Sequence, residues 1–147
     1  SCVHLFRNAV DHGIEGPSER VDKNKPEQGK ITVSFEEKGS EFFRLKVKDD
    51  GRGINPGVIR EAALKLGIKS EQDIMSLKDE ELLQLVFDQG ISSKEKVTDI
   101  SGRGVGMDAI KTEAEKVGGK VWIESKVDVG TTFIADLPLN IKNKKAS

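Results

Sequence analysis

The apolar positions of this chain change their period along its length, and each period predicts an element. In residues 2–13, Val3, Phe6 and Val10 stand at i, i+3 and i+7, the stripe of an amphipathic helix, while His4, Asn8 and His12 share another face at intervals of four. Residues 30–36 and 42–48 alternate instead, with Ile31, Val33 and Phe35, then Phe43, Leu45 and Val47, around a polar turn that contains Gly39. That is the period of a β-hairpin. Asn55 as N-cap and Pro56 in the first turn open a helix that Val58, Ile59, Ala62, Ala63 and Leu66 carry to a stop at Gly67. Ser76, with Asp79 three residues on, predicts the start of a further helix holding Leu82, Leu83, Leu85 and Val86. Met107, Ile110, Ala114 and Val117 predict another. A second hairpin follows, in which Val121 and Ile123 alternate with polar partners and Thr131, Phe133, Ala135, Leu137 and Leu139 fall on one face beyond a turn at Asp128–Gly130.

Two internal stretches lack a period. Residues 14–29, with Gly16, Pro17, Pro26 and Gly29, read as loop with at most a short helical turn around Ser18–Asp22. Residues 88–101 are polar, and a loop of that length inside a domain is commonly a functional lid or a disordered segment. It runs into S-G-R-G-V-G-M-D (Ser101–Asp108), where three glycines alternate just before a helix. Glycine lets a backbone approach a ligand closely, and a helix N-terminus offers unpaired N–H groups and a partial positive charge. Together they suit a phosphate, although a flexible turn before a surface helix carries the same pattern.

With 147 residues the chain is long enough for one domain with a core, here 1–139, followed by a basic tail or linker at 140–147. A third of the residues are charged, yet the net charge is −1, which points to neither nucleic acid nor a membrane surface as partner. A single cysteine, Cys2, excludes an internal disulfide and a multi-cysteine metal site and fits a reducing, cytoplasmic compartment. No apolar run reaches membrane length and no secretory segment is present. The chain begins without Met, a residue or two before a helical pattern, so it is expected to be a piece of a longer protein.

The period of two gives Asp49 the parity of Leu45 and Val47, so its carboxylate is expected on the covered face, where it needs a donor from protein or ligand. Gly51 and Gly53 follow at once. Thr131 opens the inward register of the last strand. A nucleotide would use each of these pieces: an inward carboxylate accepts from the exocyclic amine of adenine, a hydroxyl beside it completes the base contacts, and glycine-rich backbone cradles phosphates. Asn8 could ligate Mg²⁺, which is commonly held by few protein ligands plus phosphates and waters. Other nucleotide signatures are absent. There is no G-x-x-x-x-G-K-[ST], G-R-G-V-G does not match G-x-G-x-x-G and follows a loop where a dinucleotide site follows a strand, and H-R-D, D-F-G and G-x-S-x-G do not occur. His4 and His12 lack acidic partners at zinc spacing.

Five segments resemble, in order, the boxes of the CheA-like, chemotaxis-type sensor histidine kinases. H-L-F-R-N-A-V-D-H-G-I-E (His4–Glu15) resembles the N box, D-D-G-R-G-I (Asp49–Ile54) the G1 box, and L-V-F-D-Q-G-I-S-S (Leu85–Ser93) the F box region. S-G-R-G-V-G-M-D resembles the G2 box, and G-T-T-F with L-P-L (Gly130–Phe133, Leu137–Leu139) the end of the domain. The resemblance implies the ATP-binding catalytic domain shared by histidine kinases, gyrase, Hsp90 and MutL: an α+β two-layer sandwich with a mixed sheet, helices on one face and a flexible ATP lid. It also implies that the N-terminal strands and first helix of the full domain are missing here. By that analogy His4 and Asn8 are the catalytic residues, Asn8 ligates Mg²⁺, and His4 and His12 line the phosphate side. Asp49 binds the adenine amine, Gly51 and Gly53 shape the base pocket, Thr131 supports the base contact, and Gly102, Arg103, Gly104, Val105 and Gly106 hinge the lid and bind phosphates.

The family's F box usually reads F-x-P-G-F-S-T, and here Gln89, Ile91 and Ser93 replace the Pro, the second Phe and the Thr. The activity implied is phosphoryl transfer from Mg·ATP to a histidine on a separate phosphotransfer domain. Dimerisation and regulatory domains and a downstream response regulator are the further partners. Two other readings stand beside it. A hydrolytic clamp of the gyrase or MutL type would place a Glu one turn before the Asn, where this chain has His4. A non-enzymatic, ATP-responsive switch is the other.

Overall fold

The two alternating pairs fold as two hairpins that join through their second strands. The computed structural model describes residues 13–88, 90–91 and 106–139. Strand β1 (Ile31–Lys38) pairs with β2 (Phe42–Asp49), and β3 (Lys120–Lys126) pairs with β4 (Gly130–Pro138). The sheet order is β1-β2-β4-β3 and every described pair is antiparallel, within the expected α+β arrangement of a sheet with helices. Register sets Leu45 opposite Ala135, Val47 opposite Phe133, and Ile123 opposite Phe133, so one face carries a continuous apolar row. Leu83, Phe87 and Ala114 close over that row to form the main core.

The predicted faces hold, with one difference at the edge. Ile31, Val33 and Phe35 lie opposite Asp49, Val47 and Leu45 as expected, yet Val33 is 38% and Phe35 65% exposed. β1 is an edge strand, and the main contacts of the helices with the sheet fall on β3. Phe35 instead leans on Phe43, ring centroids 6.4 Å apart. The opposite face also has a buried patch that alternation assigns to solvent: Ile134 and Asp136 are buried. Trp122 stands opposite Ile134, Arg44 holds Asp136 through two hydrogen bonds of 2.7 and 2.9 Å, and Arg44 and Lys120 each lie 5.2 Å from the Trp122 ring.

Helix α1 (Pro17–Asp22) is the short turn expected in the first loop. In α2 (Pro56–Leu66) the Asn55 side chain accepts from the Gly57 N–H at 2.8 Å, and Gly67 ends the helix in left-handed backbone, φ 66°. The next helices start elsewhere than the Ser76–Asp79 spacing predicts. A short helix that the spacing does not predict comes first: Ser70 accepts from Asp73 N–H at 3.1 Å and opens α3 (Glu71–Met75), and the helix holding Leu82 and Leu83 starts after Lys78 and not at Ser76. Ser70 and Asp73 have the same spacing as Ser76 and Asp79. The Ser76 hydroxyl is turned back onto the Asp73 carbonyl at 2.7 Å, which closes α3. α4 (Asp79–Leu83) begins at Lys78, whose N–H donates to the Glu81 carboxylate at 2.9 Å, and Leu85 and Val86 lie in the 3₁₀ turn Gln84–Phe87. Ile59, Ala63, Ile74, Leu82 and Ile91 form a second core cluster, so Ile91 keeps an apolar role at its substituted F-box position. α5 (Met107–Lys116) packs Met107 and Ile110 against the main core.

Candidate functional site

Asp49 is the last residue of β2, where the strand runs out of the sheet. Its half-buried carboxylate is anchored on one side: Oδ1 accepts from Gly51 N–H at 2.9 Å and from Thr131 N–H at 3.2 Å. Among the described residues no hydrogen bond reaches Oδ2. Burial pushes the Asp49 carboxyl above its ordinary range, the two N–H donors offset this in part, and the nearby negative charges of Asp50 and Glu15 add to the rise. The result is an oriented acceptor with one oxygen left without a donor among the described residues.

The surroundings of Asp49 are built from close backbone approaches. A Cβ on Gly51 would collide with the Gly13 carbonyl, which already accepts from Arg52 N–H at 2.7 Å. Gly130, at φ 141°, lies against the Asp49 carbonyl where no side chain could fit, and this seating brings Thr131 N–H to the carboxylate. Gly53, at φ 72°, sits on the Lys126 carbonyl. Ser125 ties these pieces together: its Oγ accepts from Ile54 N–H at 2.8 Å, donates to the Gly130 carbonyl at 3.0 Å, and lies 2.7 Å from the Thr131 hydroxyl.

Behind Asp49 its neighbour Asp50 enters an ion cluster centred on Arg20. The side chains of Arg20 and Glu15 are fully buried and meet at 3.0 Å. Arg20 also donates to Asp50 Oδ2 at 2.8 Å, to the Asp50 carbonyl at 3.2 Å and to the Pro26 carbonyl at 2.6 Å. Lys25 Nζ donates to Glu15 at 2.6 Å, to the Asp50 carbonyl at 3.0 Å and to the Gly51 carbonyl at 2.8 Å. Lys30 N–H completes Asp50 through Oδ1 at 2.8 Å. Burial alone would raise the Glu15 carboxyl, but hydrogen bonds from Lys25, its own backbone and Lys23 outweigh it and hold the group at about 2. Asp50 is likewise held below its ordinary range, burial being outweighed by Lys30 N–H and Arg20.

Of the expected site residues, Asp49, Gly51, Gly53 and Thr131 come together at this end of the sheet. Gly106 directly precedes α5 and its carbonyl accepts from Ala109 and Ile110 N–H, so it stands at the helix N-terminus expected for phosphate. His4, Asn8, His12, Gly102, Arg103, Gly104 and Val105 lie outside the described residues, as do most of the expected lid and the basic tail. Ser125 and the Arg20 cluster were not anticipated. The second carboxylate of D-D-G-R-G, paired with the charges of the first loop, was the signal available for the cluster. Among the described residues no group of three His, Cys, Asp or Glu could hold a metal ion, and no helix is long and apolar enough to cross a membrane.

Comparisons with known proteins bear on this arrangement. The family model of histidine kinase-, DNA gyrase B-, and HSP90-like ATPases matches residues 1–141. The chain is 42% identical over 139 residues to the chemotaxis protein CheA of Bacillus subtilis, covering 95% of this chain and 20% of that protein. It is also 42% identical over 139 residues to the sensor histidine kinase CheAY of Helicobacter pylori, covering 95% of this chain and 17% of that one. The chain thus spans about a fifth of the length of these relatives. The histidine kinase domain of the Erythrobacter litoralis EL346 blue-light activated histidine kinase shares the fold, with a TM-score of 0.51 at 15% identity over 97% of this chain and 44% of that one.

Proposed function

Because this chain belongs to the family of histidine kinase-, DNA gyrase B-, and HSP90-like ATPases, we propose that it binds Mg·ATP and donates the γ-phosphoryl group to a histidine on a separate phosphotransfer domain in chemotaxis-type signalling. The likeness to CheA and CheAY favours this kinase role within the family. The observation that carries the adenine half is Asp49, whose Oδ1 is fixed by Gly51 and Thr131 N–H while Oδ2 is left as an acceptor. Gly51, Gly53 and Thr131 frame the base. Gly106 and the α5 N-terminus face the phosphates, with Gly102, Arg103, Gly104 and Val105 leading into them. Asn8 would hold Mg²⁺, with His4 and His12 on the same side. Mg²⁺ would neutralise phosphate charge, and the chain's own contribution is positioning, which dominates phosphoryl transfer. The phosphotransfer domain, dimerisation and regulatory domains and the response regulator are the partners this role requires.

The test supplies Mg·ATP and a separate histidine phosphotransfer domain, then follows label transfer and phosphate release. Transfer with little release is expected. Release without transfer would point to a hydrolytic clamp, and binding with neither to a switch. Asn8→Asp should disturb Mg·ATP handling and Asp49→Asn should weaken adenine binding; nucleotide affinity and transfer unchanged in both would remove the site.

A further inference from the structure

The Arg20 cluster joins the stretch that carries the proposed base acceptor to the Gly13–Glu15 stretch that follows the proposed Mg²⁺ ligand in sequence. On the base side it grips Asp50 by carboxylate and carbonyl and Gly51 by carbonyl. Gly51 N–H in turn fixes Asp49 Oδ1 at 2.9 Å. On the other side it grips Glu15, two residues beyond Gly13, and the Gly13 carbonyl is itself seated against Gly51 and Arg52 N–H. Asn8 and His12 precede Gly13 by only a few residues in sequence.

We propose that Arg20, Lys25 and Glu15 are positioning residues, a bracket that sets the separation between the base acceptor Asp49 and the Gly13–Glu15 stretch, which follows Asn8 and His12 in sequence. This rests on the reading of Asp49 and Asn8 given above. Two features separate a bracket from an ordinary stabilising ion pair. Arg20 and Lys25 each bind both stretches independently, so either stretch moves only if two cations let go. Arg20 and Glu15 are also fully buried. A buried ion pair is a poor source of net stability compared with apolar packing, whereas it fixes direction in a way apolar packing does not. No member of the cluster reaches the open oxygen of Asp49, so it acts through the Asp50–Gly51 peptide and does not itself touch ligand.

The experiment compares Mg·ATP with adenosine, which carries the base alone, by calorimetric titration of the chain. Arg20→Ala removes the centre of the cluster and is expected to compromise folding, so Lys25→Met is the working variant: similar in length, without donors, and at a position whose side chain is 13% exposed. Arg44→Met, which breaks the ion pair with Asp136 on the opposite sheet face, serves as a control for lost stability. In Lys25→Met the affinity advantage of Mg·ATP over adenosine should fall about tenfold, the effect of a modest geometric loss at a positioned site. In Arg44→Met the melting temperature should drop with that advantage intact. An unchanged advantage in Lys25→Met, or an equal fall in Arg44→Met, overturns the bracket. Absence of Mg·ATP binding by the wild-type chain overturns the functional reading itself, a distinct result.

Discussion

Asp49 and Asp50 are adjacent in sequence and end in opposite electrostatic states. Asp50 points into the Arg20 cluster, where both oxygens have donors and its carboxyl is held down. Asp49 points to the other side, where one oxygen has donors, the other has none among the described residues, and burial pushes its carboxyl up. The turn of the backbone at the end of β2 therefore separates a satisfied region from an unsatisfied one. A buried carboxylate costs free energy unless paired, so the first region has its cost offset inside the cluster, while the second keeps one that the nucleotide of the proposed function would relieve. Substitutions in front of this turn should cost binding directly, whereas those behind it should cost stability and reach binding only through the spacing of the stretches they hold.

The hardest test of that contrast is Arg20→Ala. It takes one of three cationic partners from Glu15, whose side chain is fully buried, and a donor from Asp50. Breaking a buried pair costs about 3–5 kcal/mol when the remaining charge has no partner; with Lys25 and Lys23 still on Glu15 the loss should fall toward the lower end of that range, to be read from denaturant unfolding. A loss comparable to that of a surface ion pair would show that the cluster is less closed to water than its burial implies.

The two aspartates themselves offer a reciprocal exchange. Asp49→Asn keeps an oxygen to accept from Gly51 and Thr131 N–H and removes a charge disfavoured by burial and by Asp50 and Glu15. Its stability at neutral pH should equal or exceed that of wild type, while ATP affinity falls roughly tenfold to a hundredfold through loss of one charge-assisted hydrogen bond. Asp50→Asn should do the reverse, lowering stability by about 1 kcal/mol, a value reduced for solvent screening because the Asp50 side chain is 38% exposed. Affinity lost equally in both variants would erase the distinction.

Acid sharpens the same contrast with a smaller effect. Glu15 is held at about 2 against an ordinary 4.5, and Asp50 is also lowered, so their stabilisation is complete above the ordinary carboxylate range and is lost as pH falls toward about 2. Asp49 is raised, so its protonation on acidification favours the folded state and opposes that loss. Thermal melts between neutral and acid pH should show any advantage of Asp49→Asn over wild type shrinking as pH falls, and a shallower acid loss in Asp50→Asn. Parallel curves for the three proteins would remove the electrostatic account.

How far this contrast could be read in advance depended on the range of the interactions. Asp49 was legible because strand parity carries over from Leu45 and Val47, and the Asn55–Gly67 helix because its caps are local. Arg20 was not, since its partner Asp50 lies 30 residues away and its own loop has no period. Ile134 and Asp136 were hidden for a related reason: alternation assigned them to solvent, and Trp122 and Arg44 from neighbouring strands enclose them. Ser76 has a cap's spacing to Asp79, but its hydroxyl turns onto the Asp73 carbonyl to close the preceding helix, so the helix that holds Leu82 opens after Lys78 instead. The roles of His4, Asn8, His12 and residues 102–105 rest on the family resemblance.

The smallest expected effect concerns Thr131, in front of the turn, where the backbone serves Asp49 and the side chain does not. Thr131 N–H donates to Asp49, whereas the hydroxyl meets Ser125 Oγ at 2.7 Å. Ser125 has one proton, which goes to the Gly130 carbonyl, and one lone pair taken by Ile54 N–H. The Thr131 hydroxyl then donates its own proton to Ser125 and keeps its lone pairs as acceptors. Thr131→Val leaves the Asp49 contact intact and removes the hydroxyl's bond to Ser125 together with its acceptor lone pairs, so stability should change by about 1 kcal/mol or less and ATP affinity by less than tenfold. Ser125→Ala orphans Ile54 N–H as well, and should cost more stability than Thr131→Val. The reverse order would mean that the Thr131 hydroxyl, and not Ser125, holds the Ile54 and Gly130 segments together, and would move part of the structural load in front of the turn.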